Sequence, residues 1–111
     1  MFAYEIPGMR FSLPAGAEVK RHRFVSINTS SNGITATADT SVVGVSMNEV
    51  KADQVLEVSD GIVMVEAAGA VTAGVPVYSD ATGRAAVTGT TVVGIAMTAA
   101  TAEGELITVK V

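Results

Sequence analysis

The sequence predicts an all-β fold: a small compact β-barrel or β-sandwich-like domain with two pseudo-repeated β-units and an extended N-terminal arm. Three observations lead there: the kind of apolar residue used, the number of turn residues, and an internal repeat. Of the 111 residues 49% are hydrophobic, yet only 5% are aromatic. Val and Ala fill most apolar positions, and small or β-branched side chains suit thin, closely spaced β-layers. Eleven glycines without a fixed period mark turns and exclude a fibrous repeat. A chain of this length forms one domain with a modest core.

The repeat organises the elements. Val42-Val43-Gly44-Val45-Ser46-Met47 is answered by Val92-Val93-Gly94-Ile95-Ala96-Met97. Upstream, Pro14-Ala15-Gly16-Ala17-Glu18-Val19 is loosely answered by Ala67-Ala68-Gly69-Ala70-Val71, and Val25-Ser26-Ile27-Asn28 by Val77-Tyr78-Ser79-Asp80. These matches divide residues 15–111 into units 15–58 and 67–111 within one β-domain, with residues 1–14 as an arm or first strand. Two imperfect copies do not make a solenoid; they make two related β-units sharing a core.

Along the chain, Phe2, Tyr4, Ile6, Met9, Phe11 and Leu13 place an apolar residue at almost every second position up to Pro14. That pattern predicts a strand, either completing the domain's own sheet or added to a neighbour. Asn32-Gly33 predicts a hairpin turn, because both residues tolerate positive φ. Asp80-Ala81-Thr82-Gly83 predicts its counterpart, and Asp60-Gly61 a turn leading Val58 back into Ile62-Val63-Met64-Val65. In the paired Val-Val-Gly strands, period-2 alternation assigns Val43, Val45, Met47 and Val93, Ile95, Met97 to a large apolar, core-facing side. Segments 48–54 and 98–103 should form one helical turn apiece at most. Val55-Leu56-Glu57-Val58 and Leu106-Ile107-Thr108-Val109 close the two units as strands.

Charge and residue types narrow the function. The net charge is −4, yet the first 24 residues carry a positive excess from Arg10, Lys20, Arg21 and Arg23. An acidic body with so short a basic run and few aromatics does not suit nucleic acid. A polarised charge distribution does suit docking one end onto a larger surface. There is no cysteine, hence no disulfide framework or thiolate metal site. The N-terminus lacks the order of a secretory signal, and no apolar run reaches the ~20 residues of a membrane span. The expectation is a protein made in the cytoplasm that engages no membrane.

Catalytic chemistry is not written in the sequence. His22, the one histidine, sits among cations that supply no orienting carboxylate for a nucleophilic relay. One His without Cys excludes the usual zinc sets, and Asp53, Glu57 and Asp60 lack the ligand alternation of a calcium loop. Gly69 to Gly74 spans Gly-x-x-x-x-Gly, but Val75-Pro76 follows where a phosphate loop needs Lys and a hydroxyl. No pair of carboxylates stands out for sugar hydrolysis. The reading is a non-enzymatic protein without cofactor or metal.

A family resemblance gives the remaining function its content. Ala68-Gly69-Ala70-Val71-Thr72-Ala73-Gly74-Val75-Pro76-Val77-Tyr78, the Gly83-Arg84 turn, Val92-Val93-Gly94-Ile95-Ala96 and Gly104-Glu105-Leu106-Ile107-Thr108-Val109 together resemble the capsid decoration, or cement, proteins of tailed bacteriophages. Biotinyl-type domains also place Val and Gly around paired turns, but they present a Met-Lys turn that neither Lys51 nor Lys110 supplies. The resemblance implies a virion protein on the outer surface of the mature, expanded head. There it would bridge neighbouring major capsid proteins as a homotrimer, without nucleic acid. The residues expected to make the contact are Phe2, Tyr4, Ile6, Met9, Arg10, Phe11, Arg21 and Arg23. The alternative is a phage tail or baseplate β-module, or a module binding carbohydrate or protein on a host surface.

Overall fold

A computed structural model describes residues 3–111, so Phe2 lies outside the described residues. Strands β1 (Ile6–Pro14), β2 (Phe24–Ile27), β3 (Gly33–Thr35), β4 (Gly44–Ser46) and β5 (Val55–Glu66) are followed by β6 (Pro76–Ser79), β7 (Ala85–Ala86), β8 (Val92–Ala96) and β9 (Leu106–Lys110). No helix occurs among the described residues. All strand pairings are antiparallel, in the order β3-β2-β4-β5-β9-β8-β6-β7, with β1 paired to β5. The sheet curls into a half-barrel that fits within 35 × 26 × 20 Å.

Two units share the long strand β5. In the first, β1 pairs with the N-terminal half of β5, setting Leu13 opposite Leu56. In the second, the C-terminal half of β5 pairs with β9, setting Val65 opposite Ile107. The short bridges repeat as well: Ala15 to Gly33 and Val19 to Val50 become Ala67 to Ala85 and Val71 to Ala100. So do the turns. Asn28 Oδ1 accepts from the N–H groups of Ser30 and Asn32, and Asp80 Oδ1 from those of Thr82 and Arg84. Asn and Asp suit this role because their side chains close such turns locally.

Each unit has its own inner layer. Ala15, Val19, Val25, Val50, Leu56 and Val58 form that of the first. Their counterparts Ala67, Val71, Val77, Ala100, Ile107 and Val109 belong to a larger cluster that also holds Phe24, Ala36 and Val45 of the first unit. Phe24 and Val45 are therefore buried by the second unit. The two units stack back onto cup, and the contact buries one of the chain's three phenylalanines completely.

Several expectations change in the structure. Asp60-Gly61 is not a turn, because β5 runs straight through it; Gly61 (φ 91°) instead faces the register shift between Pro7 and Arg10 of β1. The hairpin between β2 and β3 turns on Ser31 (φ 65°), one residue ahead of Asn32-Gly33, since Gly33 is already in β3. Segments 48–54 and 98–103 are bends and tight turns held by the bridges at Val50 and Ala100, with no helical residue. Of the six residues assigned to the core side, Val45 is buried and Met47 and Val93 pack partly buried against the core, but Val43, Ile95 and Met97 are exposed. The periodicity is common to both units, but the covering layer is not: the second unit covers Phe24 and Val45 of the first, and among the described residues nothing covers Ile95 and Met97.

Gly44 and Gly94 mark where neighbouring backbone passes close. A Cβ on Gly44 would lie 2.7 Å from the Ser59 carbonyl oxygen, and one on Gly94 would meet that of Lys110. Gly44→Ala and Gly94→Ala should each lower stability by about 1–3 kcal/mol in urea unfolding. Gly69→Ala, with open space around it, should be close to neutral; equal effects at all three sites would contradict this packing.

Candidate functional site

The seam between the units is polar as well as apolar. His22 adopts φ 64°, and the carbonyl of this residue accepts a hydrogen bond from the Glu66 N–H at 3.0 Å. Next along, the Phe24 N–H donates to the Gly83 carbonyl at 2.8 Å, and the Arg23 guanidinium donates to the Thr82 carbonyl at 3.0 Å. The Glu66 carboxylate lies 3.3 Å from Arg23 and 3.5 Å from Arg84. Arg84 also reaches Glu103 at 2.7 Å and Asp80 at 3.4 Å. One acid thus bridges a cation from each unit. Arg23, expected from sequence at the outer contact, has its charge engaged here, with a side chain only 14% exposed.

Two acid-sensitive groups belong to this seam. Burial, then the charge of Arg21, lowers the pKa of His22, against the Met64 carbonyl 3.2 Å from Nδ1 and the more distant Glu5 and Glu66. Burial alone would raise Asp80, but N–H donors from Arg84 and Thr82, the Thr82 hydroxyl and the Arg84 charge hold it below the usual carboxylate range. Asp39 is also held low, chiefly by the Thr90 N–H.

The outer surface carries the other predicted residues. Ile6 and Met9 are 62% and 70% exposed, and Tyr4 is also exposed. The Arg10 side chain is exposed, 3.9 Å from Glu57, and Arg21 is exposed. Phe11 is half-buried against the inner layer of the first unit. Beside Tyr4 the chain crosses the sheet: its N–H donates to Thr108 Oγ1 at 2.6 Å, and its carbonyl accepts from that hydroxyl at 2.7 Å. This cover explains why Thr108 is buried on an otherwise outward face.

Register adds residues that the N-terminal pattern did not single out. Ile6 lies opposite Ile62, Ile62 opposite Lys110, Lys110 opposite Ile95, and Ile95 opposite Pro76. Cross-strand partners share a face, so these five side chains form one row across β1, β5, β9, β8 and β6. All are exposed except Ile62, which is half-buried. Ile95 stood in the sequence repeat but was assigned to the core; Ile62 and Lys110 needed the strand register.

Shallow hollows occupy matching places in the two units. One of about 320 Å³ is lined by Val71, Pro76, Tyr78 and Val87; the other, of about 310 Å³, by Glu18, Glu49, Val50 and Lys51. Neither gathers acid, base and nucleophile. Among the described residues no group of three or more His, Asp or Glu is arranged to hold a metal ion.

The sequence model of the phage cement protein family matches residues 6–111. The chain belongs to the phage cement protein family. Among solved structures, the N base of the head fiber gp8.5 of bacteriophage phi29 superposes with a TM-score of 0.73 at 23% identity, covering 91% of each chain. At that identity the likeness speaks to the fold, which this cement protein shares over nearly its whole length. No curated protein sequence matches it. Membership makes it a decoration protein associated with the phage head, the class that its residues resembled.

The polar seam has measurable consequences for this cement protein. Glu66→Gln, which leaves two largely buried guanidiniums short of a carboxylate, should cost about 1–3 kcal/mol in urea unfolding; an unchanged midpoint would contradict the bridging role. His22 has a folded pKa below its unfolded one, so its share of stability is complete above about pH 6.5 and declines as the pH falls. Asp80 and Asp39, also lowered, contribute above about pH 4 and lose their share as the pH drops further. Unfolding midpoints should therefore sag mildly below pH 6.5 and steeply below pH 4. His22→Asn, compatible with positive φ, should remove only the first decline; a persistent decline would refute its assignment.

Proposed function

We propose that this cement protein binds the outer surface of the mature phage head in many copies, as homotrimers that bridge neighbouring major capsid proteins and stiffen the shell. The family match over residues 6–111 carries this reading. The physical character of the chain supports it. A cement needs a body that keeps its shape under load, and a tightly packed Val-rich sheet with short connections supplies one. It also needs only a modest contact per copy, because many linked copies add their grip. The exposed residues Tyr4, Ile6, Met9 and Arg10 lie together at one end of the chain and offer apolar and cationic contacts, and Arg21 is exposed as well. Contact with the shell is a surface task and calls for no reacting group.

Purified protein mixed with expanded heads should co-sediment and saturate at a fixed number of copies per particle. Unexpanded precursor shells should bind poorly, because neighbouring subunits there are spaced differently. Absence of binding to expanded heads would refute the proposal.

A further inference from the structure

The stacking of the two units identifies which face of the protein is left open. In the first unit the row Phe24, Val45, Ser59, Arg10 crosses β2, β4, β5 and β1. In the second unit the same places are held by Pro76, Ile95, Lys110 and Ile62, with Ile6 extending the row. Phe24 and Val45 are fully buried beneath the second unit. Their counterparts Pro76 and Ile95 face outward, Ile95 with 42% of its surface exposed. Spaced at about 4.8 Å per strand, the five-residue row spans roughly 20 Å. Met97 and Tyr4, both exposed, stand beside it. The surface that the fold uses for docking inside the chain is thus presented a second time, with none of the described residues laid over it.

A second copy does not fit this face well. Head-to-tail stacking would seat it on the cup of another molecule's first unit. That cup is filled from within: Phe11, Leu13 and Leu56 stand where the second unit has the smaller Val63 and Val65 and the isomeric Ile107. The seam's hydrogen bonds could not form again either. Pro14 occupies the place of Glu66 and Pro76 that of Phe24, so both donor N–H groups are absent, and Val75 replaces Arg23. A two-fold pairing of the face with itself would set Lys110, the middle residue of the row, against its own copy.

We propose that the face Ile6, Ile62, Lys110, Ile95, Pro76 is the surface by which this protein seats on the shell, against an apolar patch of a capsid protein that carries a carboxylate. The inference rests on the proposed head attachment and specifies its geometry. Lys110 is exposed and makes no ion pair among the described residues. A lone cation within an apolar row favours an acid opposite it and disfavours basic partners. The open edge of β1 and Met9, next to Ile6, would lie at the border of the same contact.

Co-sedimentation with expanded heads tests this with full-length variants. Ile95→Glu and Lys110→Glu should each weaken binding at least about tenfold, as expected for central contacts, while Lys110→Arg retains most of it. Val55→Glu, an exposed site at the end of β5 in the first unit, should bind like the unsubstituted protein. Unaltered binding by both glutamate variants would overturn the assignment of the face while leaving head attachment standing. Failure of the unsubstituted protein to bind heads would overturn both. Should Ile95→Glu fail to fold, the solvent-exposed Lys110→Glu decides. In sedimentation without heads, self-association abolished by Ile95→Glu would assign the face to a second copy and refute the proposal.

Discussion

Phe24 and Val45 lie on the back of one β-unit and in the core of the next, and much of the architecture follows from that double position. A unit of this size, rich in Val and Ala, buries little apolar surface by itself. Laying the back of the first unit into the cup of the second completes the larger cluster around Val63, Val65, Ile107 and Val109. Full burial of a phenylalanine side chain is worth about 1.5–3 kcal/mol in transfer terms, a large share of the stability of a small domain. The polar seam of Arg23, Glu66 and Arg84 fixes where the back sits. Such a pair adds register more than net stability, because desolvation offsets much of its attraction.

The same contact explains why two nearly identical sequences have different surroundings. Val45 and Ile95 occupy equivalent strand positions, but one is covered and the other exposed. At the closed end, larger side chains fill the cup and Pro14 removes a donor; at the other end the row from Ile6 to Pro76 is apolar apart from Lys110. An asymmetric pair of this kind has one finished end and one available end. For a family of proteins that decorate phage heads, an available and largely apolar face is a feature suited to attachment.

Much of this was legible in the residues. Valine-rich alternation, turn residues and the Val-Val-Gly repeat specified an all-β fold with paired units, and the Ala68 to Tyr78 segment with the closing Gly104 to Val109 strand resembled the family that the profile over residues 6–111 confirms. What the sequence could not supply was tertiary. Alternation reports which residues share a side of a strand, not what lies over that side, so Ile95 and Met97 were placed in the core. Asp60-Gly61 has turn chemistry, but the bulge in β1 opposite it absorbs the glycine's positive φ within a continuous strand. Arg23 looked like a surface cation because its partners Glu66 and Thr82 are distant in sequence and adjacent only after the units stack. Lys110 and Ile62 gained their place from register alone.

Native-state hydrogen exchange examines the stacking most directly. If the back of the first unit is held in the cup of the second, the amide protons of Phe24 and Glu66, which donate to Gly83 and His22 across the seam, should exchange only through global unfolding. They should match the Val63 and Val65 amides of the central strand. Exchange of the Phe24 and Glu66 amides at the rate of exposed turn positions, with β5 still protected, would mean that the units fold without clasping each other.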